Sequence, residues 1–156
     1  MKTPEAAFRW IVDILTRKRV PFQIVGGLAA RAYGSTRDLA DLDFYIPGAR
    51  FPDLIPDVSP FVTFGPAPFA DEHWDLVFMA LEYDGWTIEL GDGDSTRIFD
   101  RHTQQWVHES IDFERFERKM LFGLPVPVMP RDRLIAYKRR LDRAVDREDL
   151  ALISPS

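Results

Sequence analysis

Asp41 and Asp43 are the residues whose type and spacing point most directly to chemistry. They lie two apart in Leu39-Ala40-Asp41-Leu42-Asp43-Phe44-Tyr45-Ile46, a run that reads as a strand ended by Pro47-Gly48. Side chains two apart on a strand project from the same face. At about 3.3 Å of rise per residue, their α-carbons would stand roughly 6.6 Å apart, so both carboxylates can converge on one ionic site. Two carboxylates so placed repel each other and favour partial protonation. A hard divalent cation such as Mg²⁺, which prefers oxygen ligands, relieves that repulsion. Leu42 points to the opposite face, toward a core.

Upstream, Gly26-Gly27 breaks a short strand over 20–25 and precedes a short helix over 28–33, which Gly34-Ser35-Thr36 ends. Without Cβ atoms, the backbone there can approach a ligand closely, and its free N–H groups suit a phosphate. Downstream, Glu89 is flanked by apolar residues in Trp86-Thr87-Ile88-Glu89-Leu90, a strand running into a glycine-rich loop. Paired carboxylates beside a phosphate-accepting turn form the electrostatic arrangement that in-line phosphoryl or nucleotidyl transfer needs. The bland alternative is an exposed strand bearing surface acids.

These residues resemble the nucleotidyltransferase superfamily, especially its small bacterial members of the antibiotic and toxin–antitoxin types. The resemblance rests on Gly26-Gly27, on Gly34-Ser35-x-Arg37 and on Asp41-x-Asp43, and it covers residues 20–46 best. Many members have Gly-Ser where this chain has Gly-Gly, which removes one hydroxyl ligand for the phosphates. The segments around Lys138 and from Arg143 to Leu150 are similar to the "Lys, then Arg, then Asp-x-x-Asp-Leu" ending of the same small proteins. The resemblance implies metal-dependent transfer of an NMP from an NTP co-substrate to a hydroxyl acceptor, with release of pyrophosphate. It implies that Asp41, Asp43 and a third carboxylate from a later strand hold Mg²⁺, with two ions expected; Glu89 is the expected third, able to act as base, with Asp75 in Trp74-Asp75-Leu76-Val77 as runner-up. Gly26 and Gly27 would bind the nucleotide phosphates. Arg37 would reach phosphate or pair with Asp38 or Asp41. Lys138 would meet the triphosphate as a point charge or lie on a solvated helix in ion pairs. A non-catalytic, antitoxin-like member of the fold and a tRNA-directed nucleotidyltransferase are the alternatives. The acceptor is left open among a small molecule, a protein and tRNA, as are a homodimer and an antitoxin-type partner.

The elements that must position these residues give an α/β (α+β) reading: a mixed, twisted sheet, helices mainly on one side and a short helical C-terminus. Thr3-Pro4 reads as a helix start, with Ala7, Phe8, Ile11, Ile14 and Leu15 at helical spacing behind it. Residues 47–70 are proline-rich and read as a loop around a helical turn and a short strand at 61–64. Strands over 75–83 and 86–90 flank Asp84-Gly85, a hairpin signal. The stretch 98–122 is ambiguous between helix and strand; 124–128 is extended; helices are expected over about 131–141 and 146–153.

The chain has 156 residues, 46% of them hydrophobic and 29% charged, the balance of one ordinary globular domain over 1–156. Cysteine is absent, which excludes disulfides, zinc–thiolate sites and thiol nucleophiles. No apolar run reaches membrane-spanning length, and the first five residues lack a signal-peptide pattern, so a cytoplasmic location is expected. The net charge of −5 does not attract nucleic acid, although residues 131–147 carry seven basic side chains that could form a phosphate track. The acidic, aromatic stretch 71–94 would suit a cationic acceptor or be a plain hairpin. Asp92-Gly93-Asp94-Ser95 lacks the ligand run of an EF-hand. His73, His102 and His108 have no metal-pair spacing, and Phe113, Phe116 and Phe122 read as core.

Overall fold

A computed structural model describes residues 3–155; Met1 and Lys2, the start of the stretch without a signal-peptide pattern, lie outside it. Helix α1 (Glu5–Arg17) buries the expected stripe of Ala7, Phe8, Ile11, Ile14 and Leu15. Thr3 does not cap it. Pro4 takes the N-cap position with near-helical backbone angles and accepts the Phe8 N–H at 2.9 Å, so the helix begins one residue later than its sequence signal.

Strand β1 (Gln23–Ile24) is shorter than expected, because helix α2 (Gly26–Ala32) starts at the glycine pair itself. Strand β2 (Leu42–Ile46) begins after Asp41. The proline-rich segment is more ordered than a loop. It forms α3 (Phe51–Val58), flanked by two single 3₁₀ turns, and then β3 (Val62–Ala70). Pro52 sits in the first turn of α3, where a missing N–H donor costs nothing. Strands β4 (Trp74–Tyr83) and β5 (Trp86–Asp92) form the predicted hairpin. Asp84 and Gly85 both have positive φ (51° and 80°), matching the twist of the strands they join. The ambiguous stretch is strand: β6 (Arg97–Asp100), β7 (Gln105–His108) and β8 (Glu117–Leu121). Strand β9 (Leu124–Val128) follows through a second positive-φ turn at Phe122-Gly123. Helices α4 (Arg131–Leu141) and α5 (Ala144–Ile153) close the chain, with a left-handed residue, Asp142, at the end of α4.

The strands form one mixed, twisted, curled sheet in the order β7-β6-β4-β5-β2-β1-β9-β8, with β3 paired to β4. The β2–β5 and β1–β9 pairs are parallel and the others antiparallel. Along β2 and β5, Leu42, Phe44, Ile46, Ile88 and Leu90 turn into a core shared with α1, α2, α3 and α4. The alternate residues of the two strands therefore face the other way, and the candidate site lies there. Phe113 and Phe122 pack against the core as expected; Phe116 instead lies exposed under the Arg118 guanidinium. No helix among the described residues is long and apolar enough to cross a membrane.

Candidate active site

The strand pairing brings the carboxylates together. Asp43 and Glu89 are direct partners across the parallel β2–β5 pair, so their side chains leave the sheet side by side. Asp41 stands just before β2. One oxygen from each of Asp41, Asp43 and Glu89 lies within 4.8 Å of the other two. Asp75, the alternative third carboxylate, is elsewhere: it is half-exposed and bonded to Arg97 on β6.

Little within the chain offsets these three charges. Burial, then the charges of Asp41 and Glu89, push the Asp43 carboxyl well above the usual range, and Lys138 only partly opposes them. Burial, then the charge and a hydrogen bond of Asp41, push Glu89 up to about 7. An all-oxygen set of this kind, costly to ionise without a counter-charge, fits a hard divalent cation. The described residues thus form one candidate metal site.

The carboxylates line a cavity of about 340 Å³. Its floor near Glu89 is apolar, with Phe69, Leu76 and Phe78 from the β3–β4 pair. Trp74, Tyr137 and Arg143 form another wall. The Arg143 guanidinium lies 4.6 Å from the centre of the Trp74 ring. It is held by Asp146 through Nε at 2.7 Å and Nη2 at 3.0 Å. The Trp74 ring N–H donates to the Tyr137 hydroxyl at 3.1 Å.

The glycine pair owes its identity partly to this packing. Gly26 has φ +63°, and a Cβ there would lie 2.5 Å from an Asp43 carboxylate oxygen. A Cβ on Gly27 would lie 2.6 Å from an Arg37 nitrogen. The first glycine makes room for the Asp43 carboxylate and the second for the Arg37 guanidinium. Val25, immediately before them, is on the cavity wall.

Arg37 and Lys138 are not brought to the cavity. Arg37 makes a two-point bond to Asp149, at 2.9 Å through Nε and 2.8 Å through Nη2. Ser35 donates to the same carboxylate at 2.8 Å. Lys138 is fully buried between Asp149 at 3.0 Å and Asp146 at 3.3 Å. The expected pairing of Arg37 with Asp38 or Asp41 is thus replaced by one with Asp149, and the expected solvated face at Lys138 by a buried one. Burial raises the Asp149 carboxyl, but the Arg37 bond and the Lys138 charge outweigh it and hold Asp149 below its ordinary range.

Sequence reading did not single out Arg143, Trp74 or Tyr137 as site residues. The available signal was the Lys138, Arg143, Asp146, Asp149 spacing, in which the arginine was present without a role. In the acidic stretch 71–94, Asp71 reaches the cavity, and one of its oxygens accepts the backbone N–H groups of His73 and Trp74, both at 2.8 Å. Asp92 accepts from the Asp94 N–H and the Ser95 hydroxyl, closing its own turn.

No protein-family model matches the chain, and no curated protein matches it by sequence. Solved structures do. A candidate nucleotidyltransferase from Thermotoga maritima, TM1012, superposes with a TM-score of 0.73 at 21% identity, covering 97% of this chain and 93% of its own. The lincosamide antibiotic adenylyltransferase LnuA, solved with lincomycin, gives 0.62 at 12% identity, covering 97% and 95%. ANT(2")-Ia in complex with adenylyl-2"-tobramycin gives 0.59 at 17% identity, covering 96% and 89%. Likeness over nearly the whole of each chain, at so little identity, is likeness of backbone: this chain has the nucleotidyltransferase fold.

Proposed function

We propose that the protein is a metal-dependent nucleotidyltransferase that moves a nucleoside monophosphate from an NTP to a hydroxyl acceptor and releases pyrophosphate. The observation that carries this reading is the convergence of Asp41, Asp43 and Glu89 on a cavity wall in this fold. These three residues would hold Mg²⁺, two ions in our reading. Bound Mg²⁺ supplies a counter-charge to the carboxylates and to the oxygens of the reacting phosphates.

The chain's own groups have separate tasks. Glu89, on the cavity wall beside Asp43, would serve as general base to the acceptor hydroxyl. The acceptor oxygen bonds to the α-phosphorus as the bond to the β-phosphate's bridging oxygen breaks; the hydroxyl proton passes to Glu89. The backbone around Gly26 and Gly27 would approach the phosphates. Arg37 and Lys138 would act from behind the site, by fixing the α2–β2 loop and α4 against α5. The apolar floor of Phe69, Leu76 and Phe78 favours a small-molecule acceptor with an apolar face. The basic run at 131–147 offers little of a free RNA track, since Arg131, Arg133, Lys138, Arg140 and Arg147 all bond within the chain and Arg143 lies on the cavity wall.

The test is Mg²⁺-dependent transfer from α-phosphate-labelled NTPs to a panel of hydroxyl compounds, beginning with lincosamides and aminoglycosides. It is run on the protein and on its Asp41→Asn and Asp43→Asn variants. Transfer that needs Mg²⁺ and both aspartates is expected. Mg²⁺-dependent NTP binding and transfer that survive both substitutions unchanged would sink the reading.

A further inference from the structure

We infer that Arg143 is a nucleotide-contacting residue that binds the departing phosphates, held in place by Asp146 and Trp74. The inference rests on the nucleotidyltransferase reading of the same cavity. A triphosphate brings about four negative charges into a cavity whose wall already carries four carboxylates, Asp41, Asp43, Glu89 and Asp71. Metal ions at Asp41, Asp43 and Glu89 answer the charge at that end. The far phosphates need a separate cation.

Arg143 is the basic side chain on the cavity wall among the described residues. Arg37 and Lys138 are committed to Asp149 and Asp146, and Lys138 is fully buried. Counting the cluster, Arg37, Lys138 and Arg143 oppose only Asp146 and Asp149. One positive charge is left over, and Arg143 carries it to the cavity. Asp146 already has Lys138 as a counter-ion, so neutralising Asp146 does not by itself require Arg143.

The geometry holds the guanidinium ready for use. Asp146 takes Nε and Nη2, which leaves Nη1 to donate outward. Trp74 supports the flat face of the group, and Tyr137 fixes the Trp74 ring through its N–H. A side chain clamped on an edge and a face loses little freedom when it takes a phosphate oxygen. During transfer the bond from the α-phosphorus to the bridging oxygen breaks, and pyrophosphate leaves with the electron pair. Arg143 is placed to bond oxygens on which that charge builds.

The experiment titrates the protein with α,β-methylene-ATP and with inorganic pyrophosphate, each in Mg²⁺, and with Mg²⁺ alone. Arg143→Gln should lose about 10- to 100-fold in affinity for both phosphate ligands, the worth of one charge-assisted bond. Its affinity for Mg²⁺ alone should not fall, since Arg143 feels the Asp43 charge and its loss leaves the carboxylates no less negative. Arg143→Lys keeps the charge without the two-point hold; it should bind both ligands more tightly than the Gln variant and more weakly than the parent. Should the Gln variant fail to fold, the Lys variant alone decides, with at least a threefold loss expected. Parent-like binding of both ligands by the folded variants would overturn the inference while leaving the nucleotidyltransferase reading intact. So would an equal loss of Mg²⁺ affinity, which would make Arg143 a support of the metal site. If the unaltered protein binds neither ligand, the nucleotidyltransferase reading fails, and the inference fails with it.

Discussion

Two groups of charge, one buried and one half-buried, lie close together in this molecule, and they are built on opposite principles. Around Lys138, every carboxylate has cations at bonding distance: Asp149 has Arg37 and Lys138, and Asp146 has Lys138 and Arg143. At Asp41, Asp43 and Glu89, carboxylates face carboxylates. In the first group no carboxylate is left without a cation. The second is electrostatically unfinished, and a group kept unfinished despite its cost is where a cation from outside belongs. Buried charge alone therefore does not mark a site; its lack of internal balance does.

The comparison breaks most visibly if Lys138 is removed. Lys138→Met leaves Asp146 and Asp149 buried with one fewer cation, and a loss of about 3–5 kcal/mol of stability is expected from urea unfolding. A loss below 1 kcal/mol would mean that the cluster is not a structural unit. The same kind of change in the other group should act differently. Asp43→Asn removes one of three repelling charges, so metal-free stability near neutral pH should hold or rise. Affinity for Mg²⁺, read by calorimetry, should fall by more than about 100-fold, beyond the usual cost of losing an outer-shell partner.

Titration in chelator sharpens the contrast, because the two groups respond to pH with opposite sign. Glu89 binds its proton more tightly in the folded protein, at about 7, than at its ordinary 4.5. Its contribution to stability is complete below the ordinary value and is lost as pH rises through about 7. Asp43 acts in the same direction. Asp149 is shifted down, so its contribution is present above the ordinary carboxylate range and disappears as the solution is acidified. The urea midpoint should therefore fall between pH 5 and 8, and Glu89→Gln should flatten that fall. A midpoint that rises over this interval in the parent would contradict the picture. At the small end, Thr3→Ala should shift stability by less than about 0.5 kcal/mol, because Thr3 makes no cap bond to α1.

The carboxylate group was largely legible in the sequence. Alternation along a strand places Asp41 and Asp43 on one face, and the apolar neighbours of Glu89 mark a half-buried strand on which a carboxylate is out of place. That Glu89 and not Asp75 joins them depends on β5 lying beside β2, a pairing between residues more than forty positions apart. The balanced group was misread for a similar reason. Lys138 sits on a helix rich in arginine, and only the turn at Asp142 reveals that α5 folds its carboxylates back onto it. Arg143 gives no local sign that its guanidinium reaches a cavity, since Trp74 and Asp146 approach it from different parts of the chain. The stretch 98–122 was opaque because β6, β7 and β8 are short and β7 and β8 are largely exposed, which blurs the alternation that would announce them.

The Asp149 bonds to Ser35 and Arg37 join residues 114 and 112 positions apart. A ribosome makes the glycine turn and the first two acidic ligands early, long before their supporting partner. Until the last helix emerges from the exit tunnel, Arg37 lacks its carboxylate and the wall bearing Arg143 does not exist. In a nascent chain the acidic residues would thus emerge well ahead of the helix that completes the chamber around them.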